Sequence, residues 1–286
     1  MATALMTKFT WASTPKLSVV LIVQNEAHCL KQCLRSISSI ADEIIVIDSG
    51  STDATVAIAR SFGAHVEVSD WPGFGPQKNR ALTRARGEWV LAIDADEHIT
   101  PELATSIRRA IALQSQTVNG FFVQFLATWC GKPVHFGDWG KKRHLRLFRR
   151  EFARFSNDPV HERIICQPPY ANLNGLMIHD TVAIEAEAAE KCQRYADLSA
   201  PVIAAKGRGG LGSALSHSVW TLVRGFVIKG GFLDGIVGWK VALASAKGTF
   251  LRYRIAGKLR FLKRGPRADE DVPSSGRKSS ASRQGA

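Results

Sequence analysis

The stretch Trp89-Val-Leu-Ala-Ile-Asp94-Ala-Asp96-Glu97 joins four apolar residues, Val90 to Ile93, to three carboxylates within four positions. An apolar run of that length after Gly87 fits a strand buried on both faces, as in a parallel sheet. Asp is a poor strand former, so the strand ends there. Carboxylates at the C-terminal edge of a parallel strand lie on the rim where such sheets bind ligands. Asp94 and Asp96 are two apart, so both can face one ligand as the strand gives way to a turn. Two oxygen donors that close repel each other unless a cation intervenes. Mg²⁺ or Mn²⁺ carrying substrate phosphates fits that place. The competing reading is a solvated acidic turn ahead of a helix that starts near Pro101.

The residues before this stretch repeat its grammar. Leu17–Val23 reads as a first strand ending at Gln24-Asn25-Glu26, and residues 27–39 as a helix with Leu30, Leu34 and Ile37 on one face. Glu43–Ile47 is a second buried strand. It runs into Asp48-Ser-Gly-Ser-Thr-Asp53, a tight turn in which Asp53 is placed to cap a helix over 54–61. His65–Val68 is a short third strand. A Gly/Pro-rich loop leads to a helix starting near Gln77, with Lys78, Asn79 and Arg80 in its first turn. Cations there oppose the helix macrodipole, and an anion such as a sugar-nucleotide diphosphate would offset that. Strand–helix alternation with short connections predicts a doubly wound α/β sheet. No GxGxxG follows the first strand and no GxxxxGK[ST] occurs, which argues against a dinucleotide-binding enzyme and a P-loop NTPase.

Beyond about residue 118 the pattern becomes α+β. Short strands are expected near 121–126, 141–150, 158–165 and 173–179. A helix is expected over 181–205, and two more over 213–228 and 232–256, broken at Gly230-Gly231. The predicted organisation is a leader without fixed structure over 1–16 and a catalytic domain over 17–180. Its two halves would be 17–115 for the donor and 116–180 for the acceptor. A basic helical region over 181–264 and a low-complexity tail over 265–286 follow.

The 286 residues carry a net charge of +13. Residues 206–264 hold twelve Lys/Arg and one acid, Asp234, so 12 − 1 = +11 sits there. That placement predicts a polyanionic partner for the C-terminal region: a membrane surface, lipid phosphates or nucleic acid. The five cysteines are odd in number and lack CxxC pairing, which points to reduced thiols in the cytosol. No apolar signal segment and no stretch of 18 uncharged apolar residues is present, so neither secretion nor a membrane-spanning helix is expected.

The chain resembles family 2 glycosyltransferases of the GT-A fold, and within them the bacterial subgroup that adds a β-1,4-linked glucose to the lipopolysaccharide core. The resemblance is carried by Val20-Leu-Ile-Val-Gln-Asn-Glu26, Val46-Ile-Asp-Ser-Gly-Ser-Thr-Asp53, Gln77-Lys-Asn-Arg-Ala81, Asp94-Ala-Asp-Glu97, Arg146-Leu-Phe-Arg149, Val160-His-Glu162 and Gly231-Phe-Leu-Asp-Gly235. It implies a mostly parallel sheet flanked by helices, with a C-terminal helical appendage. It implies an inverting, metal-dependent transfer from a UDP-sugar to a glycolipid or lipopolysaccharide-core acceptor. Asn25, Glu26 and Asp48 would line the nucleotide pocket, and Lys78 would lie by the diphosphate. Asp94 would contact the ribose or metal-bound water, and Asp96 would bind Mg²⁺ or Mn²⁺.

An inverting transfer needs a carboxylate to take the acceptor proton. Glu162 is the first candidate and Asp158 the second. The wider family places its base in an acidic pair at a helix start, a form absent here. Against a catalytic Glu162 stands an ordinary surface pair with Arg163. His161 and His179 flank apolar strands, and His179, followed by Asp180, is the better further metal ligand. Arg146 and Arg149 could clamp a diphosphate or a phosphorylated acceptor, or could simply form a basic edge strand. Residues 213–256 mix aromatic anchors with cations, as an interfacial helix does. The expected enzyme is cytoplasmic and peripheral on the inner face of the membrane, with no nucleic-acid partner. A nucleotidyltransferase would show a Gly-rich basic loop after the first strand, where Gln24-Asn25-Glu26 stands. A nucleic-acid-binding protein is the third reading, and no recognition signature supports it.

Overall fold

In the computed structural model, which describes residues 15–113, 117–157 and 162–264, the apolar run Leu17–Val23 is strand β1, buried at every position except Ile22. It is followed by α1 (Leu30–Ile37), β2 (Glu43–Asp48), α2 (Thr55–Ser61), β3 (His65–Val68) and α3 (Phe74–Arg84). The Asp-rich stretch gives β4 (Trp89–Ala92), a turn, and then β5 (Glu97–Ile99) and α4 (Pro101–Ala112). Thr100 caps α4 by accepting the Leu103 N–H, with Pro101 at the first helical position, where a missing N–H costs nothing.

Alternate residues of β1 enter opposite layers, as a strand's two-residue period requires. Val19 and Leu21 pack with Leu30 and Leu34 of α1 and Leu103 and Ile107 of α4. Val20 packs with Ile45, Val90 and the α3 residues Ala81 and Leu82. Helices on both sides are why β1, β2 and β4 read as unbroken apolar runs.

The second half supplies β6 (Gly120–Trp129), β7 (Lys132–Val134), β8 (Lys142–Arg149), β9 (Ala153–Phe155), β10 (Ile164–Cys166) and β11 (Tyr170–Val182). Among the described residues the main sheet runs β3-β2-β1-β4-β8-β6-β11-β5, with β7 on the flank of β6, and β9 and β10 form a separate ribbon. The strands β3, β2, β1, β4, β6 and β11 point one way, while β8, β7 and β5 oppose them. The sheet is therefore α/β and mostly parallel, as expected. Its antiparallel insert, β8, brings the Arg146 region alongside the end of β4.

Three helices close the structure: α5 (Glu185–Ala205), α6 (Leu211–Val223) and α7 (Gly235–Arg264). A π turn over Arg224–Ile228 and a 3₁₀ turn over Gly231–Asp234 link the last two. The break expected at Gly230-Gly231 falls there, with Gly230 in the left-handed region (φ 69°). No helix among the described residues is long and apolar enough to cross a membrane. The leader over 1–14, the tail from 265, Asp158 and His161 lie outside the described residues.

The capping role expected of Asp53 is kept with a shift of one position: the N-cap position of α2 is Ala54, and Asp53 satisfies the first helical N–H from just outside it. Its Oδ1 accepts the Thr55 N–H at 2.9 Å, an Asx turn, while Oδ2 accepts the Ala27 N–H at 3.1 Å. Asp53 thus ties the loop after β2 to the loop after β1.

Candidate active site

The C-terminal ends of β1, β2 and β4 form one rim, and three side chains shape it from within. Asp48 accepts the Gly50 and Ser51 N–H groups on Oδ1 at 3.0 and 2.9 Å, and the Ser51 hydroxyl on Oδ2. Those bonds fold the Asp48–Asp53 turn. Asn25 sits at φ 57°, a left-handed position that Asn tolerates better than most side chains. Its Oδ1 accepts the Thr52 N–H at 2.8 Å, and its own N–H donates to Ser51 Oγ at 2.8 Å. Gln77 is fully buried and donates to Ser49 and Ser69 hydroxyls at 3.0 and 3.1 Å. Asn25 and Asp48, expected to meet nucleotide, therefore hold the rim's loops together. Glu26 faces open space, and burial is the main cause that holds its carboxyl above the usual range.

The two aspartates of the Asp-Ala-Asp turn part company. Asp94 Oδ1 lies 3.0 Å from Lys78 Nζ, and Oδ2 lies 3.1 Å from Arg146 Nη2. Lys78 also meets Glu162 Oε1 at 2.8 Å, and Arg146 meets Glu97 Oε1 at 2.6 Å. Glu97 is buried and accepts the Asp94 N–H at 2.9 Å. Burial pushes the Glu97 carboxyl up to about 7 despite Arg146. Burial also works against ionised Asp94, but Lys78 and Arg146 outweigh it and hold that carboxyl far below the usual range. A carboxylate already between two cations is a poor seat for a third. Asp94, expected as a metal ligand, stands at the centre of an ion-pair cluster with its side chain about a third exposed, 34%.

Asp96 points the other way. Its Oδ2 lies 3.2 Å from His179 Nε2 on β11, and the contact outweighs burial to lower the Asp96 pKa and raise that of His179. Both line a cavity of about 1070 Å³ between the rim and helices α5–α7. Carboxylate oxygen plus imidazole nitrogen suits a divalent cation of the Mn²⁺ or Mg²⁺ type, so the residues present fit a metal at Asp96 and His179. Glu26, His28 and Cys29 also bring ligand atoms within 4.8 Å of one another. Burial, with Glu26 alongside, drives the Cys29 thiol far up, which makes it a weak ligand.

Arg149, expected beside Arg146 as a phosphate clamp, lies at the other end of the strand. It pairs with Trp89 at the start of β4, the end away from Asp94. Its guanidinium stacks 4.7 Å from the Trp89 ring, pairs with Glu88 and donates to the Val118 carbonyl at 3.2 Å. These contacts brace the sheet. Glu162 joins the Asp94 cluster through Lys78 rather than pairing with a solvated neighbour. Sequence reasoning missed the α5 residues that face the cavity, Lys191 and Arg194 among them. Their signal, cations in an Ala/Glu-rich helix, was weak.

A parallel-sheet rim with a carboxylate–imidazole pair opening on a large cavity is where an α/β fold binds a ligand. Residues 18–165 match Glycosyl transferase family 2. An uncharacterized glycosyltransferase of Rickettsia bellii is 31% identical over 252 residues, 84% of this chain and 85% of the relative. The lipopolysaccharide core biosynthesis glycosyltransferase LpsC of Rhizobium meliloti is 30% identical over 64% of this chain and 70% of its own. A solved glucosyl-3-phosphoglycerate synthase from Mycobacterium tuberculosis is similar at 20% identity and TM-score 0.39, over 65% of this chain and 79% of that one. The chain belongs to glycosyl transferase family 2, and it is a glycosyltransferase.

Proposed function

We propose that the protein moves a sugar from a UDP-sugar to a lipid-linked or lipopolysaccharide-core acceptor, with inversion and with Mg²⁺ or Mn²⁺. Glucose is the sugar the resemblance implies. The observation that carries this reading is the Asp96–His179 pair, 3.2 Å apart at the wall of the large cavity. Asp96 and His179 would hold the metal, which supplies Lewis-acid stabilisation to a departing diphosphate. Glu26 offers a polar wall beside them. Lys78 and Arg146 fix Asp94 as a rigid floor, which keeps the rim from rearranging when donor binds.

Glu162 is the proposed base. It would accept the acceptor hydroxyl proton as that oxygen bonds to the anomeric carbon and the bond to the diphosphate oxygen breaks. Its place beside Asp94, 2.8 Å from Lys78, supports a role at the reacting end of the sheet.

The acceptor reading rests on the outer face of the helical layer. Leu211, Leu215, Val219, Val223 and Val227 recur every fourth residue and are all exposed. Ile228, Phe232, Leu233 and Ile236 of the following turns extend this apolar face. The region around it holds the +11 charge counted over residues 206–264, with 12 − 1 = 11. Apolar side chains among cations suit the headgroup–acyl boundary of an anionic membrane. A peripheral seat on the inner face of the cytoplasmic membrane follows, where a lipid-linked acceptor is presented.

The test is release of UDP from UDP-glucose, UDP-galactose and UDP-N-acetylglucosamine by the purified protein, with Mn²⁺ or Mg²⁺. Metal-dependent release from one of them is expected. No release from any, with either metal, would refute the donor reading.

A further inference from the structure

The two cations at the end of β4 are already committed. Lys78 lies between Asp94 and Glu162, and Arg146 between Asp94 and Glu97. Two cations face three carboxylates, so this cluster has no positive charge to lend. Asp96 and Glu26 are acids on the wall of the large cavity itself. A departing diphosphate gains negative charge, and a single divalent ion among so many carboxylates leaves that charge poorly balanced.

The compensating charge comes from the helical layer. Arg224 and Lys229 are held by Asp138 at 2.8 and 2.9 Å. Among the described residues, no acid forms an ion pair with Lys191 of α5. Lys191 also lines the cavity, and its Nζ donates to the Thr181 carbonyl at 3.0 Å. Thr181 stands two residues beyond His179 on β11. That bond draws the α5 cation over the strand bearing the Asp96 partner. Lys191 is near enough to Asp96 and Glu26 for its charge to favour both ionised carboxylates.

We infer that Lys191 binds the donor's diphosphate from the helical side of the cavity, so that α5 completes the active site rather than only attaching it to a membrane. The inference rests on the nucleotide-donor reading above. It places the diphosphate between Asp96–His179 on one wall and the α5 ammonium on the other.

The experiment is calorimetric titration of UDP and of uridine, each with Mn²⁺, into the wild type, Lys191→Gln and Lys191→Arg. Gln keeps a donor for the Thr181 carbonyl but has no charge. Lys191→Gln is expected to weaken UDP about tenfold, the size of a lost charge-assisted hydrogen bond, and to leave uridine unchanged. Lys191→Arg is expected to retain UDP affinity within about threefold, since the charge survives. Unchanged UDP affinity in Lys191→Gln, or an equal loss for UDP and uridine, would overturn the inference. A wild type that binds no UDP would overturn the donor reading itself, and this inference with it.

Discussion

Lys78 Nζ lies 2.8 Å from Glu162 Oε1. The contact joins α3 to the segment before β10 and brings the proposed base to the edge of the Asp94 cluster. Glu162→Gln keeps the shape and removes the proton acceptor. Transfer should fall by about 10²- to 10⁴-fold, the usual worth of general base catalysis, while UDP affinity stays within a few-fold. Steady-state transfer rates beside UDP titration check this. Normal turnover would remove Glu162 from the chemistry and leave it as an anchor for Lys78.

Arg149 should matter to folding and not to turnover. Arg149→Met removes the stack on Trp89 and the bond to the Val118 carbonyl. A loss of about 2 kcal/mol is expected, from a cation–π contact and a charged hydrogen bond together. Urea unfolding measures it. Donor affinity below the unfolding transition should not move.

Glu43 carries a pH dependence of stability. It is buried at the start of β2, where Ser18 Oγ, the Arg86 N–H and the Arg86 guanidinium converge on it. Burial alone would raise its pKa, but those donors outweigh burial and lower it below the ordinary 4.5. The sign follows from linkage. The unfolded chain takes up this proton first as pH falls, so Glu43 stabilises the fold above about 4.5 and loses that effect as pH drops through its folded value. The stability gap between wild type and Glu43→Gln should be full at pH 6 and shrink below pH 4.5. Denaturant unfolding across that range checks it, and a gap that widens on acidification would contradict it.

The apolar face of α6 predicts vesicle binding. Val219→Asp with Val227→Asp places two carboxylates on exposed positions of this face. Wild type should co-sediment with vesicles rich in anionic lipid and less with neutral ones, and salt should weaken it. The double variant should lose most of this while releasing UDP from soluble donor at the wild-type rate. Equal sedimentation of both proteins would remove the membrane role from this face.

The first half of the fold was legible because its signals are local. Leu17–Val23 and Val90–Ile93 are apolar without interruption, which only a strand covered on both faces explains. The small residues between Asp48 and Asp53 likewise require a tight turn. What spacing alone could not convey was direction. Asp94 and Asp96 are two apart, which suggested one shared ligand, but the turn into β5 sends them to different neighbours, Lys78 and His179. Arg146 and Arg149 are three apart on one strand, a separation of about 10 Å that carries Arg149 to the start of β4 while Arg146 stays near its end. That signal was present and unused. Lys191 was not legible, because its meaning depends on how α5 folds back over β11, a contact between distant parts of the chain.

The most direct test is the melting temperature of wild type and Asp96→Ala with UDP, each with and without Mn²⁺. Ligand that binds only the folded state raises stability by mass action, about 2.7 kcal/mol at a hundredfold excess over Kd. UDP should stabilise the wild type when Mn²⁺ is present and much less without it, and Asp96→Ala should lose the metal-dependent part while keeping its own unliganded melting temperature. Full Mn²⁺-dependent stabilisation of Asp96→Ala by UDP would contradict a metal-assisted donor site at Asp96.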